Sequence, residues 1–230
     1  MAIRTTYSYA HHFKKHHMDL RDYILNTLRP EKKHTLVTSK TYPKGSYIYM
    51  PPNKPNHMFE LEKGVVKLGS YTVEGQEVCY EILFRNEVFG NLRYLNGQFF
   101  EFAKTLTACS VIEYDLTFYK YLIVNDPIVS EWFNKMVIER WCRVETRLFK
   151  ICTKTPKERV NAIFQELDYE AYNLNGKKIY ISSLLSIIDI AHLTGLTRQT
   201  VSKLLKPRQR PQTTSLFKSH INITSEKSIK

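Results

Sequence analysis

Arg198, Gln199, Ser202 and Lys203 fall on one side of any helix drawn through them. Together they offer a guanidinium, an amide, a hydroxyl and an ammonium, the groups that meet base edges and phosphates in a DNA groove. The residues needed to position such a face are also present. Ile187, Ile190, Ala191 and Thr194 share one face of a preceding helix, and small Ala191 lets a second helix cross closely. Gly195 stands where that helix must stop and the chain reverse, a position that favours positive φ. Thr197 is placed to cap the second helix, whose inward face is Val201, Leu204 and Leu205. The competing interpretation is an ordinary helical hairpin on a core. Arg198 and Lys203 decide against it, because a core hairpin needs neither, and the expectation is a helix-turn-helix with an exposed recognition helix.

Charge is distributed to match. The 230-residue chain carries a formal +12. Residues 153–230 hold 13 Lys and Arg against 6 Asp and Glu, and residues 1–34 hold 7 against 3, whereas the long middle is nearly balanced. Basic character therefore concentrates around the candidate DNA-binding helices, as an electrostatic footprint for a polyanion would. Lys206, Arg208 and Arg210 lie just past the recognition helix and, with Thr197, Thr200 and Ser202, are expected to hold phosphates. The alternative for the 206–210 stretch is a solvated basic tail.

Other chemistries find little support. Cys79, Cys109, Cys142 and Cys152 are scattered without any C-x-x-C spacing, which suits free thiols in a reduced compartment and gives no zinc or iron–sulfur cluster. His12 and His16 stand one turn apart, but no third ligand accompanies them, so no metal or other cofactor is expected. No nucleophile–base pair, carboxylate couple or phosphate loop suggests an enzyme. No apolar run approaches the roughly 20 residues that span a bilayer, and no apolar block follows Arg4, so a cytoplasmic protein is expected.

Four segments follow in order. Residues 1–34, with His11, His12, His16, His17 and His34, form a basic, His-rich helical segment whose docking stripe is Leu20, Tyr23, Ile24 and Leu28. Residues 35–124 break into short strand-like runs at 46–50, 57–62, 65–73, 77–83 and 102–115, separated by Gly and Pro turns, as a β-roll requires. Asp126 and Pro127 open a long helix through about Cys152. Along it Phe133, Val137, Trp141, Val144, Leu148 and Ile151 recur at intervals of 4, 4, 3, 4 and 3, close to a coiled-coil seam, which predicts a homodimer. In the last segment, 153–230, Thr155-Pro156 starts a helix to about Tyr169, a short strand spans 177–181, and runs at 215–218 and 220–224 read as the strands of a wing beyond the helix-turn-helix.

This order, with Glu62-Lys-Gly-Val-Val-Lys67, Val88-Phe-Gly-Asn-Leu92 and Leu196-Thr-Arg-Gln-Thr-Val-Ser-Lys-Leu-Leu205, resembles the Crp/Fnr family of bacterial transcription regulators across roughly residues 35–224. The resemblance implies an α+β chain: an N-terminal, jelly-roll-like β-roll sensor domain, a long dimerisation helix and a C-terminal winged helix-turn-helix. It implies a two-fold-symmetric promoter site in double-stranded DNA and contact with RNA polymerase. The family's Arg-Glu-x-x-x-Arg base-reading set becomes Arg198, Gln199 and Lys203 here, with Arg198 bidentate to guanine and Lys203 reading less exactingly than an arginine.

The sensor site departs from the family's. Members that bind cyclic AMP hold it with Gly-Glu-Leu and a following Arg-Ser or Arg-Thr pair. Here the first becomes Gly90-Asn91-Leu92, and the second falls at Phe99-Phe100-Glu101, where Glu101 would repel a phosphodiester. The expectation is a degenerate pocket filled by Phe99, Phe100 and Phe102 and a regulator that acts without cyclic AMP. The alternative is an effector-gated regulator with an unidentified small ligand in the β-roll. Pro207 and Pro211 also make the wing shorter than the family's, or repack it.

Overall fold

The computed structural model describes residues 18–27, 36–53, 55–94, 101–168 and 170–205. Two four-stranded antiparallel sheets make the β-domain. One has the order β1 (Val37–Tyr42), β8 (Cys109–Asp115), β3 (His57–Lys63), β6 (Val88–Phe89). The other has the order β2 (Tyr47–Tyr49), β7 (Phe102–Thr105), β4 (Val66–Tyr71), β5 (Glu77–Leu83). Their facing sides enclose Leu61, Leu68, Leu83, Ala103 and Val111 around a stack of Tyr49, Phe59 and Phe89, whose ring centroids lie 5.3–6.2 Å apart. The 102–115 run divides into β7 and β8 at Leu106–Ala108. Gly64, at φ 100°, ends β3 beside that break, where a Cβ would lie 2.6 Å from Cys109 Sγ.

Strand β3 lacks the alternation of a half-exposed strand because both faces are covered. Phe59 and Leu61 point into the roll, whereas Met58 joins the core beneath the helices. Helix α1 (Leu20–Thr27) closes that side with buried Leu20 and Ile24 and with Tyr23, which donates to Asp126 Oδ2 at 2.9 Å. Leu28 and the five N-terminal-segment histidines lie outside the described residues.

Within the 35–124 segment the last strand is followed by a helix. Strand structure ends at Asp115, which caps helix α2 (Leu116–Asn125) by accepting from Phe118 N at 2.9 Å. Asp126 then both ends α2 and caps α3 (Pro127–Thr153), accepting from the amides of Ile128 and Val129, with Pro127 in the first turn where its missing N–H costs nothing.

Helix α4 (Pro156–Glu166) follows a Thr155–Glu158 capping box. It ends short of Tyr169, and Glu170–Tyr172 instead forms β9, paired with β10 (Lys178–Tyr180). Helices α5 (Ile187–Thr194) and α6 (Arg198–Leu204) complete the described chain; the wing strands expected at 215–224 lie outside it. The C-terminal helices share one core with the β-domain. Val65, Cys79 and Ile82 from the roll pack with Val160, Ile163, Ile181, Ile190, Leu193 and Val201.

Candidate nucleic-acid interface

Ser186 caps α5 with a second capping box, its hydroxyl accepting from Asp189 N at 3.1 Å while Asp189 Oδ2 accepts from Ser186 N at 3.0 Å. At the other end Gly195 adopts φ 63°, and the Leu196 amide returns to Ala191 O at 2.9 Å, a closure only a left-handed residue permits. A Cβ at Gly195 would also sit 3.3 Å from Ile151 of α3. Thr197 caps α6, accepting from Thr200 N at 3.1 Å. Val201 is fully buried and fixes the rotation of α6. Arg198, Gln199, Ser202 and Lys203 consequently lie together on the exposed face, with Thr197 beside them and Thr200 half-buried. Lys206, Arg208 and Arg210 fall outside the described residues.

The helix pair is held to the β-domain along β5, an edge strand. Lys67 Nζ on neighbouring β4 lies 3.1 Å from Asp189 Oδ1 and 3.1 Å from Glu77 Oε2. Burial works against the Lys67 charge, but Asp189 and Glu77 outweigh it and hold its pKa above the ordinary lysine range. Burial also works against Glu77, yet hydrogen bonds from Lys104, Tyr47 and Lys67 bring its carboxyl down to about 2. The Cys79 amide donates to His192 Nδ1 at 3.2 Å. Arg147 of α3 donates to Tyr80 O and pairs with Glu166 of α4 at 2.6 Å, tying three elements together. None of these contacts could be read in the sequence: an ion pair spanning 122 positions leaves no local pattern.

Helix α3 presents two faces. Val137, Trp141, Val144 and Leu148 are exposed in a continuous apolar strip, as the heptad spacing requires. Phe133 and Ile151, expected in the same seam, turn inward. Phe133 packs edge-on against Tyr119 at 6.2 Å, and Ile151 lies against Gly195. Their places on the outer surface are taken by Ile138 (59% exposed) and Phe149 (65%). Phe133 and Ile151 stand 18 residues apart, a whole number of turns at 3.6 residues per turn, so both lie on the same edge of the strip, the one nearer buried Val129 and Trp132. On the opposite face Arg140 meets Glu81 at 2.5 Å, and Arg143 meets Glu87 at 2.5 Å.

The expected effector pocket is engaged with itself. Gly90, Asn91 and Leu92 are half-buried; Asn91 Oδ1 accepts from Arg93 N at 2.7 Å, and Leu92 packs towards the α2–α3 core. Glu101 accepts from Tyr49 Oη and, at 2.6 Å, from Tyr80 Oη. Arg93 turns to Asn56 and Pro55, and Lys104 to Glu77, so neither basic group points to Glu101. Phe99 and Phe100 lie outside the described residues, while Phe102 is buried against Tyr47 and Tyr71. Among the described residues no group of three or more His, Cys, Asp or Glu is placed to hold a metal ion, and no helix is long and apolar enough to cross a membrane.

Comparison with known proteins gives this architecture relatives. A cyclic nucleotide-binding domain model matches residues 39–126. The Synechococcus elongatus global nitrogen regulator is 25% identical over 187 residues, covering 79% of this chain and 83% of that protein. The Mycobacterium tuberculosis CRP-like cAMP-activated global transcriptional regulator is 23% identical over 165 residues, covering 71% and 74%. Among solved structures, FixK2 from Bradyrhizobium japonicum superposes with a TM-score of 0.59 at 20% identity, covering 74% of this chain and 83% of that one. Both curated relatives are regulators, the second of them of transcription.

Proposed function

We propose that the chain, which resembles the Crp/Fnr family of regulators, is a sequence-specific, double-stranded-DNA-binding transcription regulator that works as a homodimer on a palindromic promoter site. The observation that carries this reading is α6: buried Val201 turns Arg198, Gln199, Ser202 and Lys203 outward on a helix framed by Gly195 and the Thr197 cap. Arg198 reads guanine, Gln199 and Lys203 read neighbouring bases, and Thr197, Thr200, Ser202, Lys206, Arg208 and Arg210 hold phosphates. RNA polymerase is the downstream partner.

The second copy covers the exposed strip of α3. Four apolar side chains at heptad spacing suit an identical helix, and a two-fold dimer places two α6 helices about one DNA turn apart. Regulation does not require cyclic AMP: Asn91 is occupied by its own loop, and Glu101 brings a negative charge where a phosphodiester would need a positive one.

Selection of random duplex DNA by the purified protein, with no effector and at stated salt, tests this. The expected product is a palindrome with half-sites about one helical turn apart. Binding that is salt-sensitive but blind to sequence would replace this reading with the effector-gated one. A palindrome recovered only with cyclic AMP would overturn the independence from it.

A further inference from the structure

Glu101 stands immediately before β7, in the middle of a sheet whose two outer strands are β2 and β5. Its carboxylate joins them: Tyr49 of β2 donates to Oε1, and Tyr80 of β5 donates to Oε2 at 2.6 Å. Tyr49 is buried, and its hydroxyl has no bulk water to fall back on. Burial and the Glu101 charge both push the two tyrosine pKa values up, so each hydroxyl keeps its proton and remains a donor. Arg140, on α3, feels the negative charge of Glu101 as well as that of its direct partner Glu81. Two hydroxyl donors from opposite edges of one sheet thus hold a single carboxylate, and Arg140, paired directly with Glu81, is near enough to feel its charge.

We propose that Tyr49, Tyr80 and Arg140 form an anion-binding cradle whose resident occupant is the chain's own Glu101, and that truncating Glu101 opens the cradle to a free small carboxylate. This rests on reading the β-roll as working without a cyclic nucleotide. Charge fixes what the vacated cradle accepts. Glu81 remains against Arg140 and largely neutralises it, so the cradle has two oriented hydroxyls but little surplus positive charge. A planar monoanion with two oxygens, formate or acetate, satisfies both donors; a phosphate dianion brings excess charge and a tetrahedral shape. The resident carboxylate does for the sheet and α3 what an exchangeable ligand would do, with no loss of translational freedom on binding.

Chemical rescue of the full-length chain tests this, read by melting temperature without DNA so that the outcome is independent of the proposed operator binding. Glu101→Ala should lower the melting temperature by about 4 °C or more, the scale expected when charge-assisted hydrogen bonds are lost in a chain of this size. Sodium formate or acetate, compared with sodium chloride at equal ionic strength, should restore at least half of the loss. Phosphate should restore much less, and wild type should not respond. Glu101→Gln keeps the cradle filled and should show no carboxylate response, and neither should Glu101→Ala carrying Tyr49→Phe and Tyr80→Phe. If Glu101→Ala does not fold in chloride, recovery of folded protein on refolding in acetate reads the same effect. The proposal fails if Glu101→Ala melts with wild type, if acetate does no more for it than for wild type, or if the Gln variant is rescued equally.

Discussion

Lys67 of the β-domain holds Asp189 of the first helix of the pair, Nζ to Oδ1 at 3.1 Å, while Oδ2 of the same carboxylate completes the capping box of α5. One side chain therefore starts the helix that carries the turn and also sets how that helix sits on the neighbouring domain. Lys67 is only 12% exposed and Asp189 7%, so the pair lies where removal of one partner leaves the other poorly hydrated.

Lys67→Met should accordingly destabilise the folded chain by about 3 kcal/mol, at the low end for a broken buried pair because Lys104 still holds Glu77 and Ser186 still donates to Asp189. Lys67→Met with Asp189→Asn should cost less than the two single changes added together. Because the folded-state pKa of Lys67 is raised, the pair's stabilisation is present below the unfolded lysine value and lost as pH rises through the folded one. Denaturant titrations of the four proteins of the cycle decide this; simple additivity would mean that the pair contributes no coupling.

Glu60 sets the pH dependence near neutrality. It is buried under α1, and burial pushes its carboxyl up to about 7 despite the Tyr114 hydroxyl that it accepts. An acid whose folded pKa is raised binds its proton more tightly in the native state, so stability falls as pH rises from about 4.5 to about 7, by on the order of 3 kcal/mol. Glu77, held at about 2, acts oppositely, and its contribution is lost as pH falls from about 4.5 towards 2. The most stable pH should therefore lie near 5. Glu60→Gln should match wild type there and be more stable at pH 8; parallel melting curves at both pH values would show that Glu60 does not titrate in this window.

On the recognition helix, Arg198→Ala should cost about 1–3 kcal/mol of DNA affinity and relax preference at a single guanine, whereas Lys206→Ala should weaken all sequences alike and reduce the salt slope by about one. Competition binding with single-base operator variants measures both. Equal weakening of every sequence by Arg198→Ala would remove it from the reading set.

The inward turn of Phe133 separates packing from pairing. Val144→Glu with Leu148→Glu should yield monomers by analytical ultracentrifugation, with α3 still helical. Phe133→Ala should instead lower stability by about 3 kcal/mol, through the cavity left beside Tyr119, and leave the oligomeric state unchanged. A dimer that survives both glutamates would exclude that face as the contact.

The parts of this molecule legible in its sequence are those written in short-range patterns. Ala191, Gly195 and Thr197 announce a reversal between two helices because each residue type answers a local demand of the backbone. Asp126-Pro127 marks the start of α3 for the same reason. Helix α2 escaped notice because Leu116–Asn125 is rich in aromatic and branched residues and continues an apolar run out of β8. The strip on α3 was legible in its middle and not at its ends, where Tyr119 and Gly195, distant in sequence, decide which way Phe133 and Ile151 point. Charge pairs were the least legible. Lys67, Glu81, Glu87 and Asp189 look like surface residues until the sheets and helices close over them.

Strand β5 ends its sheet, and no further strand covers it among the described residues; His192 takes the Cys79 amide, and Arg147 takes the Tyr80 carbonyl. These two side chains occupy backbone groups that another strand would otherwise find open. A molecule whose helix pair lifted away would offer a bare β-edge to its neighbours, a template for aggregation. Keeping α5 seated is thus a condition of colloidal stability as much as of regulation. Variation that loosens the domains would be disfavoured by self-association even where DNA binding survived.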